Sequence, residues 1–216
     1  MAAPLGGFMP KSELPIDILI EKKCIMQGHF VLKSGKHSSV YINKIRMYPD
    51  SILLSTLCIE LATPFISDPV DIVVGPALGV IALALCTAKS LSIWRNTVVP
   101  WAFAEKDGEN FTFRDPYPEY LHNMQVLVVD DILTTGGSIK RTIEAVRRAG
   151  GIPVGVGAIC NRGRVTAETL GVSKLRSLIE MSVEDTWEAA DCPLCASGVP
   201  ISIDVGHGKQ FLTDKS

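Results

Sequence analysis

Four consecutive β-branched or aliphatic residues at 126–129 (VLVV) are bounded on both sides by polar positions. That pattern predicts a central strand buried on both faces, as in a parallel sheet. Directly after it, residues 139–149 place Ile139, Ile143 and Val146 on one side and basic residues on the other, a helix closed by Gly150 and Gly151. Residues 154–160 form a second buried run, with a short strand at 71–74 and another strand at 96–104. Asp50 is placed to cap a helix through about residue 65, carrying Ile52, Leu53, Leu57 and Leu61, and another helix runs to about Ser90. This alternation of strands and helices predicts an α/β fold with a central, mainly parallel sheet flanked by helices.

The chain ends follow a different rhythm. Residues 15–27 carry Ile16, Leu19, Ile20 and Cys24 at helical spacing, with Gly28 as a stop, and 29–44 alternate around Ser34-Gly35-Lys36 as a two-stranded hairpin. From Val172 the βα alternation fades into a strand or edge at 174–179, a helix near 183–190 and an irregular tail. The organisation expected is one domain, 1–216, with a core over about 49–171 and a small lobe from about 1–48 and 172–216. Repeats and low-complexity tracts are absent. Residues 72–88 are uncharged and mostly apolar, but Gly75, Pro76 and Gly79 interrupt them, so a strand, loop and buried helix fit better than a membrane span.

Composition narrows the class. The 216 residues are 47% hydrophobic with net charge -2, an ordinary globular balance with nothing basic to suggest nucleic acid. The basic residues of 139–149 read as a solvated helix face. Six cysteines at irregular positions, several inside apolar runs, fit reduced residues of a cytoplasmic protein rather than a disulfide framework. Residues 1–15 lack the charged start and apolar centre of a signal peptide.

The chemistry concentrates where the first strand meets its helix, VLVVDDILTTGGS over residues 126–138. Gly136 and Gly137 let backbone N–H groups converge on a ligand at a helix N-terminus, which favours a phosphate. Thr134, Thr135 and Ser138 add hydroxyls, but the lysine of a P-loop is missing. Asp130 and Asp131 would repel a bare phosphate and suit a polyol whose vicinal hydroxyls donate to them. Phosphate beside diol indicates a sugar phosphate.

This stretch resembles the phosphoribosyl diphosphate (PRPP) motif of type I phosphoribosyltransferases. A second stretch, FVLKSGKHSSVYIN at 30–43, resembles the N-terminal signature of one branch, the orotate phosphoribosyltransferases. The resemblance implies the type I fold, with a hood lobe from both chain ends, and transfer of the 5-phosphoribosyl group from PRPP to orotate with release of diphosphate. It implies Mg2+ held mainly by PRPP, with no protein metal ligands, and a homodimer. Asp130 and Asp131 would hold the ribose hydroxyls, Thr134, Thr135, Gly136, Gly137 and Ser138 the 5-phosphate region, and Ala77, Leu78 and Gly79 the diphosphate. Lys106 would close over the leaving group, making Lys106, Asp130 and Asp131 the catalytic set. Lys33, Tyr41, Thr134 and Arg162 would face orotate. A phosphoribosyltransferase for another base and a non-catalytic PRPP-binding regulator share the donor features.

The chain departs from the family at several places. Val40 stands where a second aromatic is usual beside Tyr41, Val80 where a second glycine is common after 75–79, and Asn161 replaces an aspartate before Arg162. Residues 105–114 (EKDGENFTFR) read as a charged loop or loose hairpin and a candidate lid. There Glu105 replaces an arginine, and Arg114 is a candidate second cation. In the tail, Cys192 and Cys195 supply only two of four zinc ligands, His207 is a possible third, and the CxxC reads as a local turn.

Overall fold

The computed structural model describes residues 9–10, 16–181 and 186–214. In chain order its elements are β1 (Met9–Pro10), α1 (Ile16–Glu21), β2 (Ile25–Val31), β3 (His37–Ile42), α2 (Ser51–Ala62), β4 (Ile72–Pro76), α3 (Ile81–Arg95), β5 (Trp101–Asp107) and β6 (Asn110–Thr112). There follow α4 (Tyr117–Leu121), β7 (Gln125–Leu133), α5 (Gly137–Arg148), β8 (Ile152–Asn161), α6 (Ala167–Leu170), β9 (Leu175–Glu180), β10 (Thr186–Trp187), α7 (Pro193–Ala196) and α8 (Gly208–Thr213). Among the described residues, one compact unit comprises 16–49 and 186–214, the other 9–10 and 50–181.

The larger unit is a seven-stranded sheet in the order β1-β9-β8-β7-β4-β5-β6. Neighbouring strands from β9 to β5 pair in parallel, while β1 and β6 add antiparallel edges. On one face, Ile139, Ile143 and Val146 of α5 pack with Val126 and Val128 of β7 and Val156 of β8. On the other face lie Leu61 and Phe65, close over Gly157 and Gly155 of β8. Both side chains are fully buried, and each contributes roughly 2 to 3 kcal/mol. Asp50 caps α2 as its sequence position predicts, its carboxylate accepting from the Ile52 and Leu53 amides.

Several boundaries differ from the sequence expectation for identifiable reasons. Helix α1 stops at Glu21, short of Gly28, because Lys23 adopts a left-handed conformation and the Lys23 and Cys24 amides turn back to the Ile20 and Leu19 carbonyls. That is a Schellman closure built on a lysine instead of a glycine. Residues 25–27 are then released to pair with 40–42 in β2 and β3. Helix α3 continues past Ser90 to Arg95, whose guanidinium donates to the carbonyls of Phe65, Ile66, Asp68 and Val70. Left-handed Asn96 ends it, so β5 begins at Trp101 rather than near residue 96. Strand β9 pairs with β8 in the main sheet, placing 175–180 with the larger unit and not with the small lobe. The helix expected near 183–190 is not formed where it can be described: 186–187 pair with β3 as β10, 189–191 make a 3-10 turn, and 182–185 lie outside the described residues.

The smaller unit is a three-stranded antiparallel sheet, β10-β3-β2, with α1, α7 and α8. A bulge between Gln27 and Phe30 shifts the β2–β3 register. Among the described residues, no helix is long and apolar enough to cross a membrane.

Candidate active site at the carboxyl edge of the main sheet

The chain runs from β4 through α3 to β5 on one side, and from β7 through α5 to β8 on the other. Strands β4 and β7 are neighbours, so the connections diverge between them and open a crevice beyond their carboxyl ends. In open parallel sheets that switch point is where ligands bind. Four sequence-predicted groups belong to this edge: 77–79 after β4, Lys106 at the end of β5, 130–138 at the end of β7 and beyond, and Arg162 after β8.

Asp130 and Asp131 are 6% and 3% exposed, deeply set for two adjacent carboxylates. Local backbone donors hold them: the Asp131 amide reaches Asp130 Oδ1 at 2.9 Å and the Ile132 amide reaches Asp131 Oδ1 at 2.8 Å. These bonds fix each carboxylate in orientation. Beyond them Thr134, Thr135 and Ser138 are exposed. Gly136 has φ of 73° and serves as N-cap of α5, and a side chain there would also press on Val165 and Leu170. The Gly137 amide points toward Thr135 Oγ1 at 3.4 Å. The arrangement presents hydroxyls and helix-terminal amides above two buried negative charges.

The β4 turn approaches the same acids. A β-carbon built on Gly79 would lie 4.0 Å from Asp131 Oδ2. The Ala77 amide donates to the Ala104 carbonyl at 2.7 Å, tying this turn to β5, and Leu78 and Gly79 are exposed. The Ala77–Leu78 peptide is cis. Val80, in place of the family's glycine, is buried and abuts the position a side chain on Gly75 would take.

On the other side, the Leu133 carbonyl accepts from both the Arg162 amide, at 2.8 Å, and the Gly163 amide, at 3.1 Å. The turn after β8 is thereby fastened to the turn after β7. Asn161 explains its own departure from the family pattern. Its side-chain amide donates to the Val165 carbonyl at 2.9 Å while its oxygen accepts from the Val165 amide at 3.1 Å, a pairing that an ionised aspartate could not complete. Burial pushes the neighbouring Cys160 thiol up to about 12 against the opposing pull of Arg162, so it adds no charge to the edge.

The segment 105–114, expected as a charged loop or loose hairpin, is in part a hairpin. Glu105, Lys106 and Asp107 pair with Thr112, Phe111 and Asn110 around Gly108, and Phe111 is buried against Ala104 and Ala145. An apolar anchor inside a charged stretch, with a left-handed glycine at the turn, converts loop to strand. Lys106 is exposed. Arg114 is paired with Glu105 at 2.6 Å, so its charge is largely compensated.

Lys33 and Tyr41 belong to the smaller unit. Lys33 is exposed in the turn between β2 and β3, closed by the Leu32 amide on the Lys36 carbonyl. Tyr41 packs on the buried Phe30 with ring centroids 5.5 Å apart. The same unit gathers a group of which the sequence marked only the CxxC half: His29 and His37 converge on Cys192 and Cys195. His207 is not in that cluster. The available signal was two histidines flanking a hairpin turn, which carries meaning only once the strand register brings both to the CxxC.

The phosphoribosyl transferase domain family matches residues 57–193 of the chain. Over 194 residues the chain is 37% identical to the orotate phosphoribosyltransferase of Caldanaerobacter subterraneus subsp. tengcongensis, covering 88% of this chain and 95% of that protein. Among solved structures it is similar to the orotate phosphoribosyltransferase of Francisella tularensis, with TM-score 0.59 and 25% identity over 75% of this chain and 84% of the other. The corresponding enzyme of Aeropyrum pernix gives TM-score 0.57 and 27% identity over 76% and 90%.

Proposed function

The chain belongs to the orotate phosphoribosyltransferase family, and from that membership we propose that it transfers the 5-phosphoribosyl group of PRPP to a ring nitrogen of orotate, forming orotidine 5'-phosphate and diphosphate. The observation that carries the reading is the convergence, at one switch point, of a buried Asp130–Asp131 pair, a hydroxyl-rich turn at a helix N-terminus and an arginine on the adjoining turn. Asp130 and Asp131 accept hydrogen bonds from the ribose 2- and 3-hydroxyls. Thr135, Gly136, Gly137 and Ser138 cradle the 5-phosphate, with Thr134 at the rim toward the base. The exposed Leu78 and Gly79 peptides face the diphosphate, and Ala77 anchors their turn through Ala104.

Bond breaking between C1 and the diphosphate oxygen leaves positive charge on the ribose ring as negative charge builds on the leaving group. The paired carboxylates stabilise the first, Lys106 the second, and the attacking nitrogen fills C1 without an enzyme nucleophile. The Asp130 and Asp131 carboxylates are oxygen donors, which suit a hard divalent cation reached through water. Mg2+ bound with PRPP would supply charge neutralisation of the diphosphate. Arg162 pairs with the orotate carboxylate.

Diphosphate release should depend on PRPP, Mg2+ and orotate together, with uracil and purines inactive. Release with another base would reassign the acceptor, and PRPP binding without release would point to a regulator. For Arg162→Ala we expect KM for orotate to rise about 10- to 100-fold, the scale of a lost charged hydrogen-bond pair, with KM for PRPP nearly unchanged. An unaltered orotate KM would remove the carboxylate role.

Two copies pair, on this reading, through the outer face of α2 and α3. Ile52, Ile59, Leu85, Ile93 and Trp94 are exposed there, and α2 is apolar on nearly every side. Such a helix normally has both faces covered. Sedimentation should give a dimer for the native chain and a monomer for Trp94→Glu; a dimer in both would move the interface elsewhere. None of the six cysteines is joined in a disulfide, which suits a reducing cytoplasm.

A further inference from the structure

We infer that His29, His37, Cys192 and Cys195 form a structural zinc site that fastens the C-terminal segment to the β2–β3 hairpin. One ligand atom from each residue lies within 4.8 Å of all the others. His29 Nε2 is 3.5 Å from Cys192 Sγ and 3.7 Å from Cys195 Sγ, and His37 Nδ1 is 3.4 Å from Cys195 Sγ. A tetrahedral ion with zinc–nitrogen bonds of about 2.0 Å and zinc–sulfur bonds of about 2.3 Å separates nitrogen from sulfur by roughly 3.5 Å. The two ring nitrogens, 2.7 Å apart, need to open by only about 0.6 Å to reach the corresponding nitrogen–nitrogen edge.

The surroundings orient the donors. His29 Nδ1 lies 2.8 Å from the Val199 carbonyl, an acceptor only, so Nδ1 carries the proton and Nε2 presents its lone pair to the cluster. The β2 bulge, between Gln27 and Phe30, sets the position of His29, and the Ser202 amide holds the His29 carbonyl at 2.8 Å. His37 starts β3, and its ring is packed edge-on by Phe211 of α8 with centroids 4.8 Å apart. Cys192 caps α7 and Cys195 sits three residues on, so the short helical turn brings both sulfurs to one side.

A histidine pair satisfied by its own hydrogen bond is the plainer explanation, and it accounts for His29 and His37. It does not account for two thiols from a distant segment converging on the same two nitrogens. Two imidazoles and two thiolates are the donor set of closed zinc sites, and soft sulfur with imidazole disfavours Mg2+ or Ca2+. All four positions are taken by protein, which leaves none open for substrate and makes the site structural. The ligands come from residues 29, 37, 192 and 195, all of the smaller unit, so the ion acts as a crosslink over the hairpin whose turn carries Lys33.

The test uses the full chain with zinc alone and does not depend on the transferase reading. After treatment with 1,10-phenanthroline and dialysis, the protein should take up one equivalent of Zn2+, and Co2+ in its place should give tetrahedral d–d bands with thiolate-to-metal charge transfer. Zinc should shield Cys192 and Cys195 from iodoacetamide, and chelation should expose them. Cys58 and Cys160, whose thiols burial pushes up to about 12, should stay silent in both states, so the difference reads the cluster. Cys195→Ser and His37→Ala should lose stoichiometric zinc, while His207→Ala keeps it. An octahedral Co2+ spectrum, no stoichiometric zinc, or full zinc retention in Cys195→Ser would each overturn the site, and because the spectrum is taken on the native chain, a variant that fails to fold does not blunt the test.

Discussion

Replacing Asp130 and Asp131 together by asparagine should lower kcat/KM for PRPP by about 100- to 1000-fold, the scale seen when a preorganised electrostatic group is removed from a transition state. The substitution is nearly isosteric, and asparagine Oδ1 can still accept from the Asp131 and Ile132 amides that now fix the two carboxylates. The strand end and the turn beyond should therefore keep their form. What disappears is two negative charges at positions only 6% and 3% exposed, where solvent screens them little. An asparagine also turns half of its polar end into a donor, which competes with the ribose hydroxyls for their role. PRPP affinity should fall with turnover, because the diol is bound in the ground state and the ring charge develops only in the transition state. Single variants should show which acid carries the larger share. If the double variant is folded by circular dichroism and matches the native chain in both PRPP affinity and turnover, these acids do not hold the sugar.

The larger unit was legible because its signals are local. An unbroken β-branched run, paired acids and a glycine turn specify strand β7, its carboxyl end and the start of α5 without knowledge of any neighbour. Position along one sheet edge then follows from chain order, since successive parallel strands present their carboxyl ends together. What escaped the sequence depends on partners far along the chain. The early end of α1 rests on a left-handed lysine that periodicity does not mark, since Cys24 happens to continue the helical spacing. At 105–114 the sequence left a loop and a loose hairpin both open, and the choice between them rests on Phe111 finding Ala104 and Ala145. The β9 strand looked like part of the tail because its pairing with β8 lies outside any local pattern. Likewise the CxxC was judged by ligands near it in sequence, whereas the histidines that meet it are more than 150 residues away.

Gly163→Ala should reduce both stability and turnover, and the reason lies in backbone rather than side chain. A β-carbon on residue 163 would fall inside the van der Waals envelope of the Thr134 carbonyl, with the Thr134 Cα 3.1 Å away. Because the obstacle is main chain, no rotamer change relieves it, and one turn must retreat from the other. The turns are tied at this point: the Leu133 carbonyl accepts both the Arg162 and the Gly163 amides. Retreat therefore stretches those bonds and moves Thr134 relative to Arg162, the pair proposed to face the acceptor. Overpacking of this kind costs roughly 1 to 3 kcal/mol. A displacement near 1 Å in a positioned site costs about 100-fold in rate. Gly137→Ala is the contrast: its nearest obstacle is Thr135 Oγ1 at 3.5 Å, ordinary contact, and alanine favours the helix that Gly137 begins. The measurement is kcat/KM for orotate beside Tm for both variants. A Gly163→Ala protein with a lowered Tm but native kinetics would mean the two turns move together and the site rides with them. Native Tm and native kinetics together would mean that the close approach of residue 163 to Thr134 has no part in holding the acceptor side.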